Sequence, residues 1–125
     1  MSEYPDKLEL LEAVAGALRD ELLPGLEGRQ AFVVKVAINA LGIVRREIEQ
    51  RPDADEAARQ RLRDMLGSDV GDLDTLTEAL CDRIASAEVT LQTPGLKEYL
   101  WDSTRRRVAI DQPRYSGYRR AVETD

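Results

Sequence analysis

An all-α fold follows from three features of this sequence. Apolar residues recur at intervals of three and four along most of the chain. Aromatic residues make up only 5%, with five prolines in 125 residues. Ala, Leu, Arg and Glu are abundant, and these residues lose least on entering a helix. A chain of this length can bury a core of its own. The expectation is therefore a single-domain bundle of four to five helices over residues 1–112. A C-terminal segment, 113–125, is expected to be extended and to pack on its own domain or on a partner subunit.

Asp6 is a usable N-cap for the first helix, which Pro24-Gly25 should end. Leu8, Leu11, Ala15, Leu18 and Leu22 form its one-sided stripe, while Glu9, Glu12, Arg19, Asp20 and Glu21 take much of the rest. The short link Leu26-Glu27-Gly28 makes the next helix an antiparallel neighbour. That second helix spans Gly28 to Arg51, and from Ala31 to Val44 it is apolar almost all round, the pattern of a helix in the middle of a bundle. Arg51-Pro52 should end it. A third, more polar helix is expected over 53–66, with Ala58, Leu62, Met65 and Leu66 as its apolar residues and Gly67 as C′. Residues 68–71 read as a loop. The fourth helix starts near Asp72 or Asp74, or at the capping box Thr75–Glu78, and buries Leu73, Leu76, Leu80, Ile84 and Ala87. Thr93-Pro94, an N-cap followed by an N1 proline, opens the last helix, which runs to about Ile110. Pro113 and Gly117 argue against helix beyond residue 112. The segment from Pro113 to Arg120 is nevertheless rich in tyrosine, which favours a packed position.

Composition removes several function classes. The chain has no histidine and a single cysteine, Cys81, expected at the edge of the fourth helix's apolar face. Ser-His-Asp and Cys-His catalysis, cysteine zinc knuckles and most transition-metal sites are therefore unsupported, and no cofactor or metal is expected. No carboxylate pair is marked out for acid–base work, so enzyme activity is the less favoured reading and no catalytic residue is assigned. Residues 1–95 carry 11 Lys and Arg against 19 Asp and Glu, and residues 96–125 carry 7 against 5. An acidic body without a basic stripe is a poor partner for nucleic acid. The longest near-apolar run is too short and too polar to span a bilayer, and the N-terminus has no leader pattern, so the expectation is a cytoplasmic protein.

Two groups of residues are candidates for a ligand or interface. Lys35, Asn39, Gly42, Arg46 and Glu49 follow one another at four, three, four and three, and share a stripe on the second helix. The stripe can be solvated, a contact between helices or subunits, or the wall of a ligand site. Gly42, costly in an exposed helix, favours close approach of something. On the last helix, Asp102 can make local pairs with Arg105 and Arg106. Arg107 falls on the side of Leu96, Leu100 and Ser103, where a guanidinium needs an anionic or carbonyl partner. Trp101, Arg105 and Val108 share another side, and Tyr115 follows in the aromatic tail.

Glu21-Leu22-Leu23-Pro24, Leu26-Glu27-Gly28-Arg29, Lys35-Val36-Ala37-Ile38-Asn39-Ala40-Leu41 and Val44-Arg45-Arg46-Glu47, with the Asp72-Leu73 helix start and the Pro113-Arg114-Tyr115 ending, resemble a small bacterial all-helical family of unknown function. Its pattern has arginine where Lys35 stands and asparagine where Gln112 stands. The first change keeps charge but loses a bidentate fork. Genes of that family neighbour those of aminoglycoside-phosphotransferase-like kinases and acyl-CoA dehydrogenases. The resemblance thus implies an accessory to such an enzyme. Together these readings predict a non-catalytic helical accessory or interaction protein, a homo-oligomer, with a kinase-like or acyl-CoA dehydrogenase partner. The alternative is a binding module for an anionic phosphorylated or CoA-linked ligand gripped by Lys35, Asn39, Arg46 and Arg107.

Overall fold

Asp6 begins the first helix as its type predicts: its carboxylate accepts from the Glu9 amide at 2.9 Å, satisfying one orphan donor of the first turn. The structure, a computed structural model, describes residues 6–67 and 71–124. Helix α1 spans Lys7–Ala17. The chain then continues as a π-helical stretch, Leu18–Leu22, in which the Leu23 amide reaches back five residues to the Leu18 carbonyl. A 3₁₀ turn, Leu23–Gly25, ends the run where Pro24-Gly25 forecast it.

Helix α2 spans Gly28–Leu66 without a break. This corrects the expected stop at Arg51-Pro52: two expected helices are one. Proline removes one i→i−4 bond and crowds the preceding turn, a cost that a long helix can absorb. Arg51 Nε donates to Asp55 Oδ1 at 2.8 Å across the proline, and Arg59 Nη1 to Glu56 Oε2 at 2.7 Å just beyond it. Gly67 closes α2 at φ +67, its amide bonded to the Arg63 carbonyl at 2.9 Å, as its placement at C′ predicts. Of the predicted loop at residues 68–71, residues 68–70 lie outside the described residues, and Gly71 is a bend at φ +119 before the next helix.

Helix α3, Leu73–Ala85, is capped by Asp72, whose carboxylate accepts from the Thr75 amide at 2.8 Å. Its buried side is narrower than expected. Leu76 and Leu80 are buried, but Ile84 is 44% exposed, and Ala87 lies past the helix end at φ +66. Helix α4, Leu96–Asp111, begins two residues later than Thr93-Pro94 suggested. Thr93 Oγ1 instead accepts from the Thr90 amide at 2.9 Å, and Gly95, at φ +96, turns the chain into the helix. Residues Ser116–Thr124 are helix α5, not extended chain. Pro113 precedes that helix and Gly117 sits in its first turn, where neither interrupts the hydrogen-bond ladder. The described helical segments thus confirm the all-α class.

The chain falls into two compact units, Met1–Glu49 and Gln50–Asp125, and α2 contributes residues to both. In the first, α1 and the start of α2 are joined by an ion pair, Arg45 Nη1 to Glu12 Oε2 at 3.1 Å. Ala15 is the one buried residue among those described in this unit. The second unit holds a true core: Leu62, Leu66, Leu76, Leu80, Val89 and Leu96 pack together, flanked by Met65, Leu73, Ala79 and Tyr99. The Arg83 guanidinium donates to the Leu66 carbonyl at 3.2 Å, satisfying a carbonyl at the end of α2.

Candidate functional site

The stripe on α2 resolves into surface and local packing. Lys35, Asn39 and Glu49 are exposed, while Gly42 and Arg46 are half-buried. A Cβ at Gly42 would lie 3.2 Å from Arg46 Nη1, so this glycine gives room to a guanidinium one turn along its own helix. The group nearest that position is the Arg46 side chain, not another backbone. Arg107 is likewise open to solvent, its side chain 70% exposed and 3.8 Å from Asp111 one turn on. Of the apolar residues on its side, Leu96 is buried in the core but Leu100 is 44% exposed, so the apolar interior stops short of Arg107. Cys81 is exposed too, against its expected place at a buried edge.

The arrangement that does converge lies in the second unit. Asp102 is buried on α4, although local surface pairing was all the sequence suggested for it. Arg106 Nε donates to its Oδ2 at 2.9 Å and Arg105 Nη2 to its Oδ1 at 3.1 Å. Arg61, from α2, stands 3.7 Å from Oδ2. Burial by itself would raise the Asp102 pKa. The bond and charge of Arg106, the bond of Arg105 and the charge of Arg61 outweigh it and hold the carboxyl below its ordinary value of 3.8. Asp72 is also lowered, chiefly by the Thr75 amide that it caps.

Arg105 belongs to a second feature as well. Trp101, Thr104, Arg105 and Val108 on α4 form one wall of a pocket of about 190 Å³. Tyr115, Gly117, Tyr118 and Ala121 form the other. Of the site candidates in this part of the chain, Trp101 and Tyr115 both line the pocket, with Arg105 and Val108 beside them, and Arg107 does not. Gly117 is necessary to this geometry: a Cβ there would stand 2.5 Å from Tyr115 Cε2, inside the ring's own space. The pocket wall from α5 was missed because Gly117 was read as a breaker. Its signal was present in Gly117, Tyr118, Ala121 and Val122, small and apolar residues at helical spacing.

An all-helical protein with one buried carboxylate held by three arginines, beside an aromatic pocket, is what fold and site define. The chain belongs to the family described as Domain of unknown function (DUF6285), which matches residues 24–115 and so takes in α2, α3 and α4. No curated protein and no solved structure matches it. None of the described helices is long and apolar enough to cross a membrane.

Proposed function

We propose that this is a non-catalytic accessory protein of the bacterial cytoplasm that self-associates through its first unit and serves a phosphotransferase-like or acyl-CoA-processing enzyme. The observation that carries the reading is an open apolar arc on α2. Phe32, Val33, Val36 and Val44 are 64%, 50%, 50% and 46% exposed, and they share one side of the helix with exposed Ala40. Leu10, Val14 and Leu22 add exposed apolar surface from the α1 side of the same unit. Two helices with a single buried alanine between them have little core, and patches of this kind mark association surfaces. A second copy of the hairpin supplies the missing pair of helices of a four-helix bundle, and a twofold arrangement uses the same surface twice. The resemblance to a family encoded beside kinase-like and acyl-CoA dehydrogenase genes supports the choice of enzyme partner.

Size-exclusion chromatography with light scattering, backed by native mass spectrometry, tests self-association directly. The expected result is a closed oligomer for the native chain and a monomer of unchanged helicity for Val36→Glu. A native chain that stays monomeric through the micromolar range would overturn the reading.

A further inference from the structure

We infer that Arg61 on α2 and Arg106 on α4, held side by side by Asp102, form a binding site for the phosphoryl group of a small phosphorylated ligand. All three residues lie in the second unit, and the inference does not depend on self-association through the first. Arg106 Nε donates to Asp102 Oδ2 at 2.9 Å, and Arg61 Nε stands 3.7 Å from the same oxygen. The two nitrogens are therefore no further apart than those two distances laid end to end. Among the described residues, neither arginine has another ion pair or side-chain hydrogen bond. Arg105, which has a further interaction besides Asp102, is not counted in the site.

Asp102 is already bonded at both oxygens, Oδ1 by Arg105 and Oδ2 by Arg106, before Arg61 arrives. A third guanidinium adds little to a tie between helices, because it meets the charge of the other two. Arg61 nevertheless faces this crowded acid, although exposed Asp64 stands three residues on along its own helix. Two guanidiniums and one carboxylate keep a net positive charge, and Asp102 offsets the repulsion between the arginines before any ligand arrives. Access and shape then decide the guest. The Asp102 side chain is 7% exposed, whereas those of Arg61 and Arg106 are 44% and 39% exposed, so the acid is a buried floor and the guanidiniums reach solvent. Each faces the acid through Nε, and no hydrogen bond among the described residues engages its Nη groups. A planar carboxylate satisfies one such fork. A tetrahedral phosphoryl group offers an oxygen edge to each of two, and its charge of about −1.5 to −2 at pH 7 matches them better.

The isotope-labelled full chain is titrated with inorganic phosphate and, at matched ionic strength, with acetate, following backbone amides and arginine Nε–H signals by NMR. Phosphate is expected to shift the Arg61 and Arg106 signals saturably, with acetate bound about tenfold more weakly or worse, as the loss of one charge-assisted fork implies. Arg61→Gln should weaken phosphate by a similar factor. That variant should keep the native spectrum elsewhere, since Arg61 makes no hydrogen bond to Asp102. If it does not fold, Arg61→Lys decides the matter, because it keeps the charge, loses the fork and should weaken phosphate likewise. Arg107→Gln removes an exposed arginine that stands 3.8 Å from Asp111, and should leave phosphate binding unchanged. No saturable shift with phosphate, acetate bound as tightly, undiminished phosphate binding to the Arg61 variant, or an equal loss in Arg107→Gln would each overturn the assignment.

Discussion

Asp102 shows how much one residue's setting can depend on partners far away in sequence. Arg105 and Arg106 lie three and four residues on and were legible as its partners, but Arg61 arrives from another helix and no local pattern announces it. Nor does spacing tell that the carboxylate is buried. Removing it leaves three guanidiniums without their common acceptor. Asp102→Asn should therefore cost about 2 kcal/mol of unfolding free energy at neutral pH, allowing for the solvent that still reaches the arginines. The pH dependence follows from the sign of the shift. The folded carboxyl titrates below 3.8, so its stabilising effect is complete above that value and is lost as pH falls through the folded pKa. Urea unfolding between about pH 2 and 6 should show the acid limb of the native chain flattened in the variant. Gly42 differs: its nearest neighbour in the fold is the flexible end of Arg46 on its own helix, which spacing alone does not distinguish from a ligand or a second backbone.

At the scale of elements, caps were the most legible feature and interruptions the least. Asp6, Asp72 and Gly67 act where their types place them because a cap is decided within one turn. Pro52 and Gly117 were misread because a breaker acts against whatever the rest of the helix can offset. Around Pro52, ion pairs at Arg51–Asp55 and Glu56–Arg59 brace a helix of 39 residues. An interior proline costs about 3 kcal/mol, less about 1 kcal/mol because it also restricts the unfolded chain. Pro52→Ala should thus stabilise the protein by about 1–2 kcal/mol, read as a rise in the urea midpoint with unchanged slope. A destabilised variant would show that the proline is native-favoured where it stands. Helix α5 was hidden for a related reason: glycine in a first turn gives up little, and here it makes room for the Tyr115 ring.

For the molecule as a whole, composition was sufficient to give the all-α class, since period and propensity agree along nearly the entire chain. It did not give the division at residues 49 and 50, which depends on which helices meet. It also placed the apolar stretch of α2 deep in a bundle, when half of that stretch is open in the isolated chain. The apolar pattern of α2 does not record which of its residues the rest of the chain covers. Net charge sets how the self-association we propose would respond to salt. Each copy carries −6, so like-charged chains repel while an apolar contact is nearly salt-independent. Raising NaCl from about 20 mM to about 300 mM shortens the screening length severalfold and should tighten association. Sedimentation velocity across that range checks it, and association that weakens with salt would point to an ion-paired interface instead.

The π-helical stretch Leu18–Leu22 has an evolutionary consequence. Adding or losing one residue in an ordinary helix turns everything beyond it by about 100°, re-aiming each side chain that follows. A π turn holds one residue more than an α turn, so a descendant lacking one residue there can close the gap as plain α-helix with both flanks in register. The end of the first helix is thus where this lineage can change its length without changing its faces.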